Sequence, residues 1–396
     1  MSNYMKTKKT IWFILLITML IIGNGYCQQP NVITTAAPIL EIFSDPHGLG
    51  SGNCGVASEA DVFSMYYNPA KYAFIKDKTS FGFSFSPWLR NLVPDMPFMD
   101  LVYAQKLGKI STIAASIRYF TMGEITFRDV TGTEQDIYKP KEFALDFAYS
   151  AQLTEYLSLA AAARFIYSMQ ILDYAAKTIA GDLGIYYQHP LTLGEREALY
   201  SLGASITNIG GKMEYSPGYK DFLPTTLRLG AAFKTELVKD HTLTAMMDFS
   251  KLLVPTPPVY QEDPVTGHWV CDEEGNPVIV GGMSQNVSVL QGMIQSFYDA
   301  PGCYYDESNN LISYGVFREE LSEIIWSLGM EYAWKEKYFG RIGYFHQAKT
   351  KGYRQFLTLG VGANFKHFGI DAAYLIPTSN NRALENTITL GAHVGF

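Results

Sequence analysis

The sequence has 396 residues, a formal net charge of −7, 14% aromatic residues and 34 glycines. Its charges are spread along the chain without a basic stripe, which argues against nucleic acid as a partner. Apolar and polar residues are balanced overall, which excludes a helical membrane bundle but is typical of a barrel whose lipid-facing and lumen-facing residues alternate.

The first 27 residues have the pattern of an export signal. Three lysines within the first nine residues precede an uninterrupted apolar run at 11–22, which is too short to span a membrane. A small-x-small site at 25–27 predicts cleavage before Gln28, so that 1–27 is a signal peptide. The alternative of a lipidated Cys27 is disfavoured because Tyr26 stands where a lipoprotein signal has Gly or Ala.

The next segment, 28–78, differs from the rest and is predicted to be an N-terminal plug or periplasmic segment. It contains a glycine-rich run at 47–57 and a stretch at 59–66 that is predicted to be a helix, ended by the Asn-Pro pair at 68–69. The glycine run has no preceding strand and no Lys-Ser/Thr, so a phosphate-binding loop is disfavoured. A plug that enters a barrel lumen fits better.

Strand patterns recur from residue 79 to the end. Phe81, Phe83 and Phe85 alternate with small residues, and this period of two is typical of a strand with one apolar face. Fourteen such strands are predicted, near 79–89, 98–107, 109–122, 141–153, 156–170, 177–189, 198–209, 225–237, 241–252, 321–335, 338–348, 356–366, 368–377 and 385–396. The fold class is therefore all-β: an outer-membrane transmembrane β-barrel over 79–396, with about 14 antiparallel strands.

The connections between these strands alternate between short and long, which a barrel predicts and a soluble β-sandwich does not. Short polar turns are expected at residues such as 335–337, and 190–197 is expected to be the one longer turn at that end. Long loops are expected around 90–97, 123–140, 171–176, 210–224, 253–320, 349–355 and 378–384. We expect the N-terminus and the short turns to face the periplasm and the long loops to face outside.

The last strand ends on Phe396, with Ile388, Leu390, Ala392 and Val394 on the same face. Bacterial outer-membrane barrels close with such a strand and place an aromatic residue at the membrane interface. Phe396 is therefore predicted to be a signal for barrel assembly.

The loop at 253–320 is far the longest connection. It begins with a stiff proline segment that contains Val254, Pro255, Pro257 and Pro258, and a later stretch places Met293 and Phe297 on one helical face with Val289 and Ile294. The loop either folds over the barrel mouth and buries its own apolar residues, or forms a docking surface for a partner. Export to an oxidising compartment favours a disulfide between Cys271 and Cys303, which would leave Cys54 single.

No catalytic or metal-binding pattern is present in the sequence, so the protein is predicted not to be an enzyme and to need no cofactor. The seven histidines form no HExxH motif and no Ser-His-Asp pattern that sequence can support. The acidic runs at 272–274 and 318–323 are interpreted as solvated charges of a loop and a helix start.

Several segments resemble the PorV (LptO) family of the type IX secretion system, within the FadL-like outer-membrane barrels. The segments are NPAKYAF at 68–74, SFSPWLRNLVPDM at 84–96, RYFTMGEITF at 118–127, YKPKEFALDFAYS at 138–150, KLLVPTPPVY at 251–260, DAPG at 299–302 and REELSEIIWSLGMEY at 318–332. The glycine run departs from the family pattern: His47 stands where Arg is expected, and Leu49 and Ser51 interrupt the glycines.

The resemblance implies a non-enzymatic secretion component in outer-membrane lipid. Such a protein binds the C-terminal signal domain of secreted cargo at its external mouth and carries it from the translocon to the PorU sortase. The alternative is a FadL-type channel for hydrophobic small molecules, which would require an apolar lumen pocket and a lateral opening. The cargo-binding rim is predicted to contain Trp88, Leu89, Arg90, Asn91, Leu92, Val93, Pro94, Val254, Pro255, Pro257, Pro258, Met293 and Phe297.

Overall fold

The computed structural model describes residues 31–396, apart from 91–94, 130, 172–173, 195, 264–265, 267, 307 and 380–383. The predicted signal peptide at 1–27 lies outside the described residues. Fourteen antiparallel strands form one closed barrel in chain order, with the last strand paired to the first. The strands are β1 (Thr79–Pro87), β2 (Pro97–Lys106), β3 (Ser111–Thr121), β4 (Lys141–Gln152), β5 (Leu157–Ile171), β6 (Tyr174–Leu193), β7 (Arg196–Gly210), β8 (Thr226–Val238), β9 (His241–Leu252), β10 (Ile325–Trp334), β11 (Tyr338–His346), β12 (Gln355–Asn364), β13 (Phe368–Pro377) and β14 (Ile388–Gly395).

Each predicted strand corresponds to one barrel strand, and the predicted fold class is confirmed. The period of two sets which way each side chain points. On β1, Phe81 and Phe83 point outward and are 44% and 46% exposed, while Ser84 and Ser86 point inward and are buried. Within the described residues, no helix is both long enough and apolar enough to cross a membrane.

The two ends of the barrel differ, as the spacing of the strands predicts. The short-turn end carries tight turns, among them 335–337, where Lys335 and Glu336 both have the positive φ of a tight hairpin. The long-loop end carries the remaining connections, including two small hairpins, Ile125–Arg128 with Glu134–Tyr138 and Met213–Ser216 with Tyr219–Asp221.

Two predicted connections are wrong because the strands that flank them are longer than the sequence pattern indicated. Strands β5 and β6 extend to Ile171 and from Tyr174, so the predicted loop at 171–176 shrinks to residues 172–173. At the other end, β6 and β7 pair as far as Leu193 and Arg196, so 190–197 is a tight turn like its neighbours.

The segment 31–78 lies inside the barrel, and we call it the plug. It contains short 3-10 helices at Pro38–Glu41 and Pro69–Phe74 and a five-residue helix, α1 (Pro46–Gly50), which is capped by the Asp45 carboxylate. The helix predicted at 59–66 is wrong, because residues 62–67 form successive turns. The Ser64 hydroxyl bonds back to Asp61 there, and such local bonds compete with a regular helix.

The plug touches the barrel wall backbone to backbone. A Cβ atom added to Gly343 on β11 would lie 2.0 Å from the Gly52 nitrogen, and one added to Gly391 on β14 would lie 2.4 Å from the Pro46 ring. Real side chains cannot approach so closely, so glycine is required at these inward-facing positions. This close packing fixes the position of the plug within the lumen.

The plug runs from the long-loop end of the barrel to the short-turn end. Asn31 bonds to Thr350 in a long connection, whereas Lys78 bonds to Phe396 beside β14. The prediction that the N-terminal part of the exported chain lies with the short turns is therefore wrong for the first described residues. The sequence pattern could not show this path, because Asn31, Ala36 and Ile39 bond to segments more than 100 residues away.

Candidate functional site

The connection 253–324 between β9 and β10 folds into a compact structure that we call the cap. It contains helices α2 (Val289–Gln295) and α3 (Val316–Ser322). Two short strand pairs accompany them, Val259–Tyr260 with Ile279–Gly281 and Cys303–Tyr305 with Leu311–Ser313. The helix start predicted at 318–323 falls on α3, whereas the strand predicted at 321–335 begins only at Ile325.

The proline segment at the start of the cap is a buried scaffold. Val254 and Pro255 are buried, Pro257 is half-buried and Pro258 is buried. The Thr256 hydroxyl donates to Glu323 Oε1 over 2.6 Å. The prediction that this segment lies on an exposed rim is therefore wrong, because most of its residues are buried and the Pro255 ring packs against Gly292 of α2.

Five charged side chains join the cap to the barrel rim, and we call them the charge cluster. Lys251 Nζ on β9 lies 3.0 Å from Glu320 Oε2 and 2.6 Å from Glu323 Oε2. Lys351 Nζ, in the connection after β11, lies 2.6 Å from Glu319 Oε1 and 2.9 Å from Glu323 Oε1. All five side chains are at most 11% exposed, so the interpretation of 318–323 as solvated charges was wrong for these glutamates.

The two lysines control the ionisation of Glu323. Burial alone would raise the pKa of this carboxyl, but the ammonium groups of Lys351 and Lys251 outweigh burial and hold the pKa below its ordinary value. Glu323 is therefore ionised at neutral pH and accepts bonds from both cations. Buried ion pairs of this kind fix geometry, because moving either partner leaves an uncompensated charge.

Helix α2 turns its small and polar side toward the cap. A Cβ atom added to Gly292 would lie 3.0 Å from the Phe222 and Pro255 rings, so the helix packs there through its backbone. The Gln295 amide donates to Asp299 Oδ2 over 3.1 Å and to the Ser284 carbonyl. The inward side of α2, which is apolar in most surface helices, therefore makes its contacts through Gly292 and Gln295.

As a result, the large apolar side chains of α2 point away from the protein. Leu290, Ile294 and Phe297 follow one another at intervals of four and three residues and are 67%, 65% and 51% exposed. We call these three residues the α2 stripe. Met293 is half-buried, so of the two predicted anchors only Phe297 is strongly exposed. The spacing of Leu290, Ile294 and Phe297 is visible in the sequence and is typical of one helical face.

The exposed apolar surface continues from the cap onto the outer wall of the barrel. Phe297, Phe317 and Leu321 line a groove of about 540 Å³ together with Leu227 and Phe249, which are outward-facing residues of β8 and β9. The outer wall of a barrel contacts lipid. The groove therefore joins the cap to the lipid-facing surface.

In the described part of the first long loop, the predicted anchor Trp88 does not lie on an exposed apolar rim. Trp88 is 8% exposed, and its ring lies edge-on to that of Phe43 in the plug, with centroids 5.6 Å apart. Gly82, Ser84 and Ser86 point into the barrel, and Trp88 lies two residues after Ser86 on the same side. Its side chain therefore points inward and not toward the outside, where the prediction placed it. Leu89 packs against the same buried apolar group as Phe43 and Trp88, and Arg90 is exposed. The predicted residues Asn91, Leu92, Val93 and Pro94 lie outside the described residues.

The predicted disulfide is not formed. The three cysteines within 31–396 are free: Cys271 is exposed, whereas Cys303 and Cys54 are buried. Cys271 lies opposite Pro277 in one hairpin, and Cys303 lies opposite Ser313 in another. The two thiols therefore lie on different hairpins, one exposed and one buried.

The lumen is lined by charged side chains that bond to one another. Arg164 lies between Asp146 and Asp182, with its Nη2 atom 2.8 Å from Asp182 Oδ2, and Arg118 also contacts Asp146. Near the short-turn end, a cavity of about 330 Å³ is bordered by further charged residues of the plug and wall. Among the described residues, no group of three or more His, Cys, Asp or Glu side chains could hold a metal ion.

A FadL-type channel requires an apolar pocket in the lumen, and the residues that border this cavity combine charged side chains with apolar ones such as Phe63 and Phe339. The charged residues include His47, Glu59, Asp61, Glu331 and Arg341. His47 Nε2 lies 2.9 Å from Glu331 Oε2, and the same carboxylate binds Arg341 over 2.6 Å. Charged pairs therefore lie beside apolar side chains in this part of the lumen.

Comparison with known protein families shows that the chain matches the model of one family. The family model described as "Type IX secretion system protein PorV" matches residues 26–259. No curated protein matches the sequence. Similar solved structures include the Pseudomonas putida toluene transporter TodX, at 11% identity and a TM-score of 0.46 over 93% of this chain and 98% of that one.

Two further structures show comparable likeness. The CymD monoaromatic hydrocarbon channel has 11% identity and a TM-score of 0.46 over 89% of this chain and 97% of that one. A Pseudomonas aeruginosa FadL homologue has 12% identity and a TM-score of 0.39 over 93% of this chain and 100% of that one. At such identities and scores, these likenesses say nothing about what the present chain binds.

Proposed function

The chain belongs to the PorV family and is thus an outer-membrane component of the type IX secretion system, and on this premise we propose that its cap binds secreted cargo. The ligand is the C-terminal signal domain that cargo proteins share. The long-loop end faces the outside, where the cap receives this domain from the translocon and passes it to the PorU sortase. The barrel itself performs no chemistry on the cargo.

The observation that carries this proposal is the α2 stripe. Soluble surfaces seldom present several large apolar side chains side by side unless a partner covers them. Here Leu290, Ile294 and Phe297 are held outward by a helix whose opposite side is fixed to the cap. A rigid apolar surface binds at a low ordering cost, because the side chains are already in place before the partner arrives.

The shape of the stripe suits a shuttle. A few apolar anchors can supply most of the binding free energy, while the polar surroundings tolerate variation among cargo proteins. The stripe lies on an open surface and adjoins the groove that leads to the lipid-facing wall. A cargo domain can therefore reach it from a neighbouring protein in the same membrane and leave it again.

Uptake of hydrophobic small molecules is not proposed. That function needs an apolar site within the lumen, whereas the plug packs into the described lumen and charged pairs such as Glu331 with Arg341 border the cavity that remains.

Replacing Ile294, the central residue of the stripe, by alanine is expected to weaken cargo binding by about 2 kcal/mol, or roughly thirtyfold. The measurement is recovery of a secreted cargo with the purified barrel at matched protein amounts. Ile137→Ala is the matched control, since Ile137 is 62% exposed on another hairpin at the same end, compared with 65% for Ile294. Equal cargo recovery by the two variants would move the binding site away from the α2 stripe.

A further inference from the structure

The first described residues of the chain are bonded to the outer rim of the barrel. The Asn31 backbone N–H donates to the Thr350 carbonyl over 2.9 Å. The Asn31 side-chain amide donates to the Pro257 carbonyl over 3.2 Å and to Glu319 Oε1 over 3.1 Å. These three partners belong to two different long connections, so Asn31 lies where the cap meets the connection after β11.

From Asn31 the chain descends through the lumen. The Ala36 N–H donates to Phe222 in a third long connection, and the Ile39 N–H donates to Glu142 near the long-loop end of β4. Farther on, the Gly55 N–H reaches Asp248 in the middle of β9. The path ends at Lys78, whose N–H donates to Phe396 at the short-turn end. The plug therefore traverses the full height of the barrel before β1 begins.

We propose that the chain at Asn31 is displayed on the cell surface and holds helix α3 of the cap in position through the Asn31 side chain. The display rests on the outward orientation of the long loops given above. Asn31 is a positioning residue: its amide binds the same Glu319 carboxylate that pairs with Lys351. A backbone that passes through the lumen thus connects the plug directly to the surface that receives cargo.

Charge and burial agree with this role. Glu319 is 1% exposed and accepts bonds from the Lys351 ammonium, the Asn31 amide and the Gly302 N–H. A buried carboxylate needs such donors, and losing one destabilises the arrangement. Asn31 is half-buried among these groups, with its backbone and side chain both used. The N-terminal segment is therefore built into the cap.

The first test is access to the N-terminus on intact cells. A short epitope tag inserted between Gln28 and Gln29, after the predicted cleavage site, is expected to bind antibody without permeabilisation. The same tag inserted between Glu273 and Glu274 in the cap reports the orientation of the long loops, and one at 154–155 reports the short-turn end. A hidden N-terminal tag together with a reachable cap tag overturns the inference alone. A hidden cap tag contradicts the orientation on which the proposed function depends.

If the tagged proteins fail to assemble, a disulfide cross-link tests the same inference without a tag. Residues joined by a backbone hydrogen bond have Cα atoms close enough for a disulfide. Asn31→Cys combined with Thr350→Cys, in a Cys271→Ser background, is therefore expected to form a cross-link in the membrane-inserted barrel, detected as a linked peptide pair by mass spectrometry. Asn31→Cys with Thr154→Cys at the opposite end is the control. A cross-link to position 154 but none to position 350 would overturn the inference.

The positioning role has its own readout. Asn31→Ala is expected to increase protease cutting of the cap at least fivefold while the heat resistance of the barrel stays at the wild-type value. Asn31→Asp, which cannot donate to Glu319 and places a second carboxylate beside it, should increase cutting at least as much as alanine, whereas Asn31→Gln should restore part of the protection. Unchanged cutting in the alanine variant would show that Asn31 does not hold α3.

Discussion

Replacing Lys351 by methionine is expected to loosen the cap from the barrel rim by about 3–5 kcal/mol. The Lys351 ammonium is 4% exposed and binds both Glu319 and Glu323. Methionine occupies a similar volume but carries no charge, so Glu319 loses its cation and Glu323 keeps only Lys251. Buried carboxylates without a cation favour an opened cap, in which water can solvate them.

The opening can be measured by proteolysis of the purified barrel with a protease that cuts beside apolar residues. When opening is fast compared with cutting, the rate of cleavage follows the population of the open form. A loss of 3 kcal/mol corresponds to cleavage that is faster by about a hundredfold. Lys349→Met is the matched control, because Lys349 is exposed two residues away. Equal cleavage of the two variants would show that the charge cluster does not fasten the cap.

Replacing Arg164 by methionine is expected to lower the free energy of unfolding of the barrel by about 3–5 kcal/mol. The Arg164 side chain is 3% exposed and contacts Asp146, Asp182 and Asn208. Asp146 retains Arg118, but Asp182 loses its cation inside the lumen. Reduced amounts of folded barrel in the membrane should accompany the loss.

Unfolding of the purified barrel in urea gives the measurement, with Arg196→Met as the control, since Arg196 is exposed at the start of β7. Adding Asp182→Asn to the Arg164→Met variant removes the unpaired charge and should recover part of the stability. Wild-type stability in Arg164→Met would mean that the lumen charges are solvated and not paired with one another.

The barrel could be predicted from the sequence because its dominant signal is local. A strand repeats every two residues, so Phe81 and Phe83 identify their own strand and its lipid-facing side without knowledge of any partner. Extended strands were harder to delimit: β6 continues to Leu193 although its pattern weakens near the turn. The plug had no such repeat, and its turns depend on bonds such as that between Ser64 and Asp61.

The cap could be predicted only in part, because its contacts join residues far apart in sequence. Glu319 and Glu323 lie one helical turn apart, which could have indicated a shared face, but Lys351 and Asn31 cannot be found by spacing. Hydrophobicity alone gives the wrong direction for the Trp88 side chain, which is set by its inward-facing position on the strand. The role of Phe396 in assembly stays a prediction: its ring is 64% exposed and stacks beside His367 where β14 closes the barrel.

The central claim is that cargo signal domains bind the α2 stripe, and cross-linking in living cells tests it most directly. A photo-reactive residue in place of Leu290 is expected to give an adduct with the C-terminal signal domain of a secreted cargo. The same residue in place of Ile137, which is comparably exposed at the same end of the barrel, should give none. Equal adducts at both positions, or none at Leu290 while secretion continues, would contradict the account.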